Sequence, residues 1–280
     1  PDGGEGTAAM LAKSTGGRLV YKTVTGPVGE PVHSHFALLG GQAEGVAVVE
    51  MAAAAGLRLV PRDMRDPTLT TTYGVGELIM AALEHDIHTI LIGCGDSGTS
   101  DGGLGALQAL GARITDAAGQ EVGQGGRFLV DVAALDMENI PAAIREGKVK
   151  MVMALNAHNI LTGERGVARV FGPQKGATPE QVEELEKGFE NWADKLEKYC
   201  LPQAAHIDFA KGAGTGASGG LGAGLAAVGA QLVSRFEALL DSGLAGFDLN
   251  QLLKKADLVI TAEGAIDFQT PRGKVPAEIA

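Results

Sequence analysis

IHTILIGCGDSGTSDGGLG, residues 87–105, places an aliphatic run directly before a glycine-rich loop and the start of a helical pattern. Short aliphatic or β-branched runs that pass through glycine into helices are typical of parallel strands joined by helices. The predicted strands are Val46–Glu50, Ile87–Gly93, Val149–Leu155 and Leu258–Ala262. Helical patterns over Gly74–His85 and Gly103–Gly111 lie between them, so we predict an α/β fold.

The loop after Ile87–Gly93 suits an anionic group, because it combines hydroxyls with backbone N–H groups at a helix N-terminus. Its hydroxyl residues are Ser97, Thr99 and Ser100. Asp96 and Asp101 add carboxylates that could bind Mg²⁺ or accept the proton of a substrate hydroxyl. Alternatively, both aspartates cap turns and helices, and the loop alone leaves the two interpretations equal.

The strongest helical pattern begins near Thr178, which is a candidate N-cap. Pro179 follows in the first turn and Gln181 completes a capping box. The apolar residues at helical spacing are Val182, Leu185, Phe189, Trp192 and Leu196. They predict a face packed on the core, without a catalytic role.

A second glycine-rich segment, GAGTGASGGLGAG at residues 212–224, precedes a helical pattern over Ala226–Leu240. So many glycines indicate that the backbone closely approaches another group. That group is either a phosphate or a neighbouring helix, and the glycine run by itself is weak evidence for phosphate.

Composition limits the class of protein. The chain has 280 residues, 45% of them hydrophobic, and a formal net charge of −11. This acidity argues against a nucleic-acid-binding surface, whereas ATP remains compatible because helix N-termini, local cations and Mg²⁺ supply positive potential. Apolar stretches are too short to span a membrane, and two distant cysteines favour a reducing cytoplasm. Neither a P-loop motif nor the protein-kinase motif set occurs.

Seven segments together resemble the type I glycerate kinase family, and they occur in the family's order. They are PDGGEGT (1–7), VVEMAAAAGL (48–57), DPTLTTTYGVGEL (66–78), GCGDSGTSDGG (93–103), LTGERGVARVFGPQKGAT (161–178), the glycine run (212–224) and ADLVITAEGAIDFQTPRGKVP (256–276). The resemblance implies ATP-dependent phosphorylation of D-glycerate to 2-phosphoglycerate, with Mg²⁺ as the metal. Alternatives are a ligand-binding homologue without catalysis and a kinase of another small hydroxy acid.

The resemblance also implies two α/β domains with the active site in the cleft between them. One is flavodoxin-like (Rossmann-like) and built from both chain ends, here residues 1–21 and 256–280. The other is a larger inserted domain, here residues 22–255. Family members carry further segments before and after the matched region, so we expect this chain to be part of a longer polypeptide. We expect a cytoplasmic enzyme and a homodimer, with no nucleic-acid or membrane partner.

Site residues follow from the resemblance and from the demands of phosphoryl transfer, which are positioning and charge neutralisation. The predicted catalytic residues are Asp2, Asp101, Asp267 and Lys175. The predicted substrate-binding residues are Arg165, Ser97, Glu5 and Lys274. Backbone at Gly102, Gly103, Gly219 and Gly220 is predicted to bind the nucleotide, and Glu263 and Asp267 the metal. For each charged residue, a structural salt bridge or cap is the alternative.

Some positions depart from the family pattern. Asp96 stands where the family usually has glycine, and Asn156 and His158 stand where aspartates are usual. Ala265 replaces a common arginine. These departures lie in loops that look functional, and they motivate the non-catalytic alternative.

Overall fold

The computed structural model describes residues 3–244, 246 and 248–261, together with residues 277 and 279. The strands are β1 (Arg18–Thr25), β2 (Pro31–Leu38), β3 (Val46–Glu50), β4 (Thr89–Gly93), β5 (Arg113–Thr115), β6 (Ala134–Asp136), β7 (Lys150–Leu155) and β8 (Gln231–Ser234). The helices are α1 (Thr7–Thr15), α2 (Ala52–Ala55), α3 (Tyr73–Ala82), α4 (Leu104–Ala109), α5 (Ala142–Arg145), α6 (Val167–Phe171), α7 (Pro179–Tyr199), α8 (Ala217–Ala226) and α9 (Leu249–Leu253). Short 3₁₀ turns include Leu57–Leu59, Arg62–Met64 and Pro173–Lys175, and a π-helical turn spans Glu237–Asp241.

Six strands form one sheet in the order β1-β2-β3-β4-β7-β8. The four strands β3, β4, β7 and β8 are parallel, whereas β1 and β2 form an antiparallel extension at one edge. Strands β5 and β6 form a separate two-stranded sheet. The prediction of an α/β fold is confirmed, and the parallel strands place their carboxyl ends along one edge of the sheet.

Hydrophobic cores lie on both faces of the sheet. In β3, Ala47 and Val49 belong to the larger core, which includes residues of α3, α4, α7 and α8. Val46 and Val48 belong to the smaller core, which includes residues of α1 and of the π-helical turn. Every residue of β3 and β4 is buried, and their sequences are aliphatic runs instead of an alternation with polar residues, apart from Glu50 at the end of β3 and Thr89 at the start of β4.

Most predicted elements are present. Strand β3 has the predicted bounds, and the next two predicted strands each form with a slightly later start. The helix predicted from Thr178 is α7, and its capping box is complete, since Thr178 and Gln181 exchange backbone and side-chain hydrogen bonds. Its predicted apolar face is buried, and Trp192 is fully buried.

The predicted helical pattern over Ala226–Leu240 is wrong for residues 227–234, whereas residues 235–240 are helical. Helix α8 instead begins within the glycine run, and the chain then turns at Gly229, where φ is 97°, into strand β8. Strand pairing explains the difference, because the backbone N–H and C=O groups of residues 231–234 form hydrogen bonds with β7. This parallel partner is distant in sequence, so a local pattern does not reveal it.

Two further differences concern the ends of the sheet. The β1–β2 hairpin was not predicted. Residues 258–261 are irregular, and Leu258 and Ile260 are 77% and 85% exposed, so the strand prediction for Leu258–Ala262 is not confirmed there. Ala262 lies outside the described residues.

The predicted domain division at residues 21/22 and 255/256 stays a prediction, and β1 runs through the first of these positions. None of the described helices has the length and apolarity needed to cross a membrane.

Candidate active site

A cavity of about 440 Å³ lies at the carboxyl ends of β3, β4 and β7. Loops that follow these three strands line it, together with the start of α1, the start of α8 and the turn after α6. The lining residues include Glu5, Gly56, Arg58, Arg65, Cys94, Asp96, Ser97, Asn159, Gln174, Lys175, Ser218 and Gly219. Ligands of open α/β sheets bind outside the carboxyl ends of the strands, so this cavity is the candidate active site.

Backbone strain is concentrated in the wall of this cavity. Among the described residues, Asp96 and Ser218 are the two that are not glycine and have positive φ, 57° and 53°. Each is stabilised by a hydrogen bond: the Asp96 carboxylate accepts the Glu5 N–H at 3.1 Å, and the Ser218 hydroxyl donates to the Cys94 carbonyl at 2.8 Å. Such conformations persist where surrounding structure enforces them, and they cluster at functional sites.

Lys175 is the buried cation of the cavity. Its Nζ donates to the Ser97 hydroxyl at 2.9 Å and to the Thr99 carbonyl at 2.6 Å, while the residue is only 3% exposed. Burial lowers the pKa of the Lys175 ammonium to about 7, and the charge of Asp101 partly opposes that shift. Without a compensating anion, the ammonium is poorly solvated, so it favours binding a phosphoryl or carboxylate oxygen.

Two arginines of the cavity wall add positive charge, and they differ in whether a carboxylate neutralises them. Arg58 pairs with Glu5 at 2.5 Å, and both side chains are at least half exposed. Arg65 is half-buried and has no carboxylate within ion-pair distance among the described residues. Its Nε is buried without a hydrogen-bond partner.

Asp101 lies behind the cavity. The residue is fully buried, and its carboxylate accepts the backbone N–H groups of Thr72, Gly103 and Gly105, and the Thr72 hydroxyl. Burial raises the pKa of this carboxyl, and the four hydrogen bonds oppose that rise. Asp101 therefore joins the loop before α3 to the first turn of α4, as the capping interpretation expects. A catalytic role for Asp101 stays a prediction.

The predicted nucleotide-binding glycines separate into two groups. Gly219 lines the cavity, whereas Gly102, Gly103 and Gly220 do not. Gly102 donates its N–H to the Gly219 carbonyl at 3.0 Å, and its own carbonyl accepts the indole N–H of Trp192 at 2.9 Å. A Cβ on Gly219 would lie 1.9 Å from the Thr99 carbonyl. The glycine run thus closely packs α8 against the loop after β4, which was one of the two interpretations.

Several other predicted residues lie elsewhere. Arg165 is exposed on the turn before α6 and is not in the cavity wall. Of the loop hydroxyls, Ser97 lines the cavity, whereas Thr99 and Ser100 are fully buried with unpartnered oxygens. Asp2, Glu263, Asp267 and Lys274 lie outside the described residues.

Cys94 and Glu50 also lie at the ends of their strands, and each has a structural environment. Burial raises the pKa of the Cys94 thiol to about 12, so the thiol stays protonated and a weak nucleophile. The Glu50 carboxylate accepts the N–H groups of Gly6 and Ala8 at the start of α1. Burial raises the pKa of Glu50, and these two bonds lower it.

The cavity residues that sequence reasoning missed include Arg58, Arg65, Asn159 and Ser218. Arg65 stands one residue before the recognised segment DPTLTTTYGVGEL, and Ser218 lies inside the glycine run. The sequence therefore indicated the segments in which Arg65 and Ser218 lie. It did not indicate that these side chains line the cavity, because an arginine beside a turn and a serine among glycines are common surface features.

The carboxylates that line the cavity, Glu5 and Asp96, are compatible with Mg²⁺ bound mainly through substrate. Mg²⁺ usually keeps water ligands and binds through one or two carboxylates plus phosphate oxygens. Within the described part of the chain, no three His, Cys, Asp or Glu side chains form a metal-binding group. Asp96 is exposed and has no salt-bridge partner among those residues, so it is the available ligand.

Comparison with known proteins identifies the family of the chain. The sequence profile of the Glycerate kinase family matches residues 1–280. The chain is 44% identical to a glycerate kinase of Bacillus subtilis over 279 residues, covering all of this chain and 70% of that protein. It is 40% identical over 280 residues to the glycerate 2-kinase of Escherichia coli, covering 100% and 70%.

A crystal structure agrees as well. A protein of Salmonella typhimurium LT2, assigned as a glycerate kinase 2, superposes with a TM-score of 0.86 at 42% identity. The superposition covers 100% of this chain and 71% of that one. A profile match over the whole length, relatives at 40–44% identity and a shared fold lead to one conclusion. The chain belongs to the glycerate kinase family and is, like its relatives, a kinase.

Proposed function

We propose that this protein transfers the γ-phosphoryl group of ATP to the 2-hydroxyl of D-glycerate, giving 2-phosphoglycerate. One observation carries the proposal: a cavity at the carboxyl ends of parallel strands contains a buried lysine whose ammonium contacts the loop after β4. The family's relatives include one named glycerate 2-kinase, which supports the choice of hydroxyl.

The cavity meets the demands of phosphoryl transfer. The transition state carries negative charge on the transferring oxygens, so catalysis depends on in-line positioning and electrostatic stabilisation. Lys175 provides a cation without bulk solvent, and its contact with Ser97 fixes its position. Phosphoryl oxygens beside Nζ would favour the charged ammonium, which burial disfavours in the free enzyme.

The remaining requirements are a proton acceptor and a metal. The Asp96 carboxylate faces the cavity and can accept the proton of the attacking hydroxyl. Mg²⁺, when bound with ATP, would neutralise charge on the phosphates, and Asp96 or Glu5 would hold it.

Four residues outside the described part of the chain keep their predicted roles in this proposal. These roles are catalysis for Asp2 and Asp267, metal binding for Glu263 and Asp267, and substrate binding for Lys274. For Asp101, which was predicted to be catalytic, we propose a positioning role, because its hydrogen bonds order the loop after β4. A cytoplasmic location and a homodimer stay predictions.

The test is an ADP-release assay on the purified protein with MgATP and D-glycerate, followed by ³¹P NMR of the product. We expect saturable turnover and a resonance of 2-phosphoglycerate. Formation of 3-phosphoglycerate would overturn the choice of hydroxyl. Turnover only with another hydroxy acid would overturn the acceptor. Binding of glycerate by calorimetry without turnover would support the non-catalytic alternative.

A further inference from the structure

Arg65 is an arginine of the cavity wall for which the described structure shows no counterion. Its nearest acidic neighbour in sequence, Asp66, is fully engaged elsewhere. One Asp66 oxygen accepts the Thr68 N–H at 2.9 Å and the Thr68 hydroxyl at 2.6 Å, and the other accepts the Gln181 amide at 2.9 Å. Asp66 therefore holds a turn and the first turn of α7, and it does not neutralise Arg65.

Neither cavity carboxylate lies within ion-pair distance of Arg65. Glu5 pairs with Arg58, and Asp96 accepts the Glu5 N–H. Arg65 is half-buried, and its Nε is buried without a partner. An unpartnered buried donor of a charged group costs free energy, whereas a bound anion removes that cost. A guanidinium can donate two parallel N–H hydrogen bonds to the two oxygens of a carboxylate.

The backbone fixes Arg65 next to the lysine turn. Gly176, directly after Lys175, has φ of 103°, and a Cβ there would lie 2.2 Å from the Arg65 carbonyl. The segment that carries Arg65 thus packs directly against the segment that carries Lys175. A ligand bound by Arg65 would therefore lie in the same cavity as the buried ammonium.

We propose that Arg65 binds the carboxylate of the organic-acid acceptor and so determines the preference for a hydroxy acid over an uncharged alcohol. The assignment rests on the kinase function proposed above. It replaces Arg165, the arginine predicted for this role, because Arg165 is exposed and outside the cavity wall. The adjacent cation Lys175 is then left for the phosphoryl group.

The experiment compares Arg65→Met with a matched control, Arg62→Met, in steady-state kinetics with MgATP. Arg62 lies in the preceding 3₁₀ turn, is exposed and is not in the cavity wall. For Arg65→Met we expect the KM for D-glycerate to rise on the order of 10²-fold, with the KM for ATP changed less than about twofold. Arg62→Met should match the wild type in both constants.

A second substrate tests the chemistry. Glyceramide has the hydroxyls of glycerate but no carboxylate, so the wild type should strongly prefer glycerate, and Arg65→Met should lose most of that preference. Arg65→Lys should recover part of it, because the charge is kept and the planar fork is lost. Thermal unfolding shows whether each variant is folded. If Arg65→Met does not fold, Arg65→Lys and Arg65→Gln are compared in its place.

The outcomes separate the two proposals. Wild-type turnover with an unchanged KM for glycerate in Arg65→Met would overturn the assignment of Arg65 and leave the kinase function standing. A larger rise in the KM for ATP would show that Arg65 binds a nucleotide phosphate, which also overturns the assignment. The same is true if Arg165→Met, but not Arg65→Met, raises the KM for glycerate. Absence of wild-type turnover would overturn the function itself.

Discussion

Lys175 differs from an ordinary surface lysine in two ways: the residue is buried, and it lines a cavity. We predict that Lys175→Met lowers kcat on the order of 10²- to 10³-fold, because the cation beside the transferring group is lost. The measurement is kcat from ADP release at saturating ATP and D-glycerate. Lys187→Met is the control, since Lys187 is exposed on α7 and away from the cavity wall. A kcat within about threefold of wild type would remove Lys175 from the catalytic site.

Asp101 differs from a solvent-exposed capping aspartate because each of its oxygens accepts a backbone N–H. In Asp101→Asn, one of these N–H groups must face the new amide NH₂ in either orientation. We therefore predict a loss of about 2 to 4 kcal/mol in the free energy of unfolding, measured by urea denaturation.

Asp116→Asn is the matched control for this substitution. A single oxygen of Asp116 accepts the N–H groups of Ala118 and Gln120 in an exposed turn, and asparagine retains that oxygen. Its cost should be below about 1 kcal/mol. Equal costs for the two substitutions would contradict the proposed role of Asp101 in joining α3 and α4.

At the scale of elements, the start of α8 is the feature that the fold depends on most specifically. Ser218, Gly219 and Gly220 have left-handed backbone angles inside the helix. The close approach to the loop after β4 explains why this irregular start is needed: Gly102 donates to the Gly219 carbonyl, and Gly219 has no room for a side chain. Glycine has a low propensity for regular helix, so the irregular start gives up little local helix stability.

Gly219→Ala tests this packing against a glycine of similar backbone conformation. Gly219 has φ of 67° and a Cβ position 1.9 Å from the Thr99 carbonyl, whereas Gly119 has φ of 76° and nothing within 4 Å. Gly119→Ala should lower the free energy of unfolding by about 1 kcal/mol, from backbone strain alone. Gly219→Ala should cost more than about 3 kcal/mol, because the loop must also move. Thermal or urea unfolding of both variants checks the difference, and similar losses would contradict the packing argument.

For the whole molecule, the lowered pKa of Lys175 makes stability depend on pH. The folded state has a Lys175 pKa of about 7, below the ordinary lysine value of 10.5, so between these values the unfolded state binds more protons. This contribution to stability therefore rises with pH through the window and is lost as pH falls toward 7. Its slope is at most about 1.4 kcal/mol per pH unit.

Urea unfolding of the wild type and Lys175→Met from pH 7 to pH 10 isolates this contribution, because other groups titrate equally in both proteins. We predict that the free energy of unfolding of Lys175→Met exceeds that of the wild type by the largest amount near pH 7, and that this difference decreases as the pH rises. For Lys187→Met, the difference in free energy of unfolding from the wild type should not change with pH. Parallel pH profiles for the wild type and Lys175→Met would show that Lys175 is not the group responsible.

The sequence by itself determined the strands β3, β4 and β7 and the helix α7. Their signals are local: continuous aliphatic runs of strand length, and a capping box followed by apolar residues at helical spacing. The sequence also determined the family through ordered motifs, and it pointed to Lys175, Ser97, Glu5 and Gly219 in the cavity wall.

Only the tertiary structure decided the rest. Strand β8 forms where a helix was predicted, because its partner β7 lies about 80 residues earlier, as in the pairing of Val152 with Gln231, and pairing energy is invisible to local patterns. Asp101 became a buried cap, and Arg65 became a cavity cation without a counterion, for the same reason. A charged side chain has the same sequence signal in a cap, an ion pair or a binding site, and only its neighbours in space distinguish them.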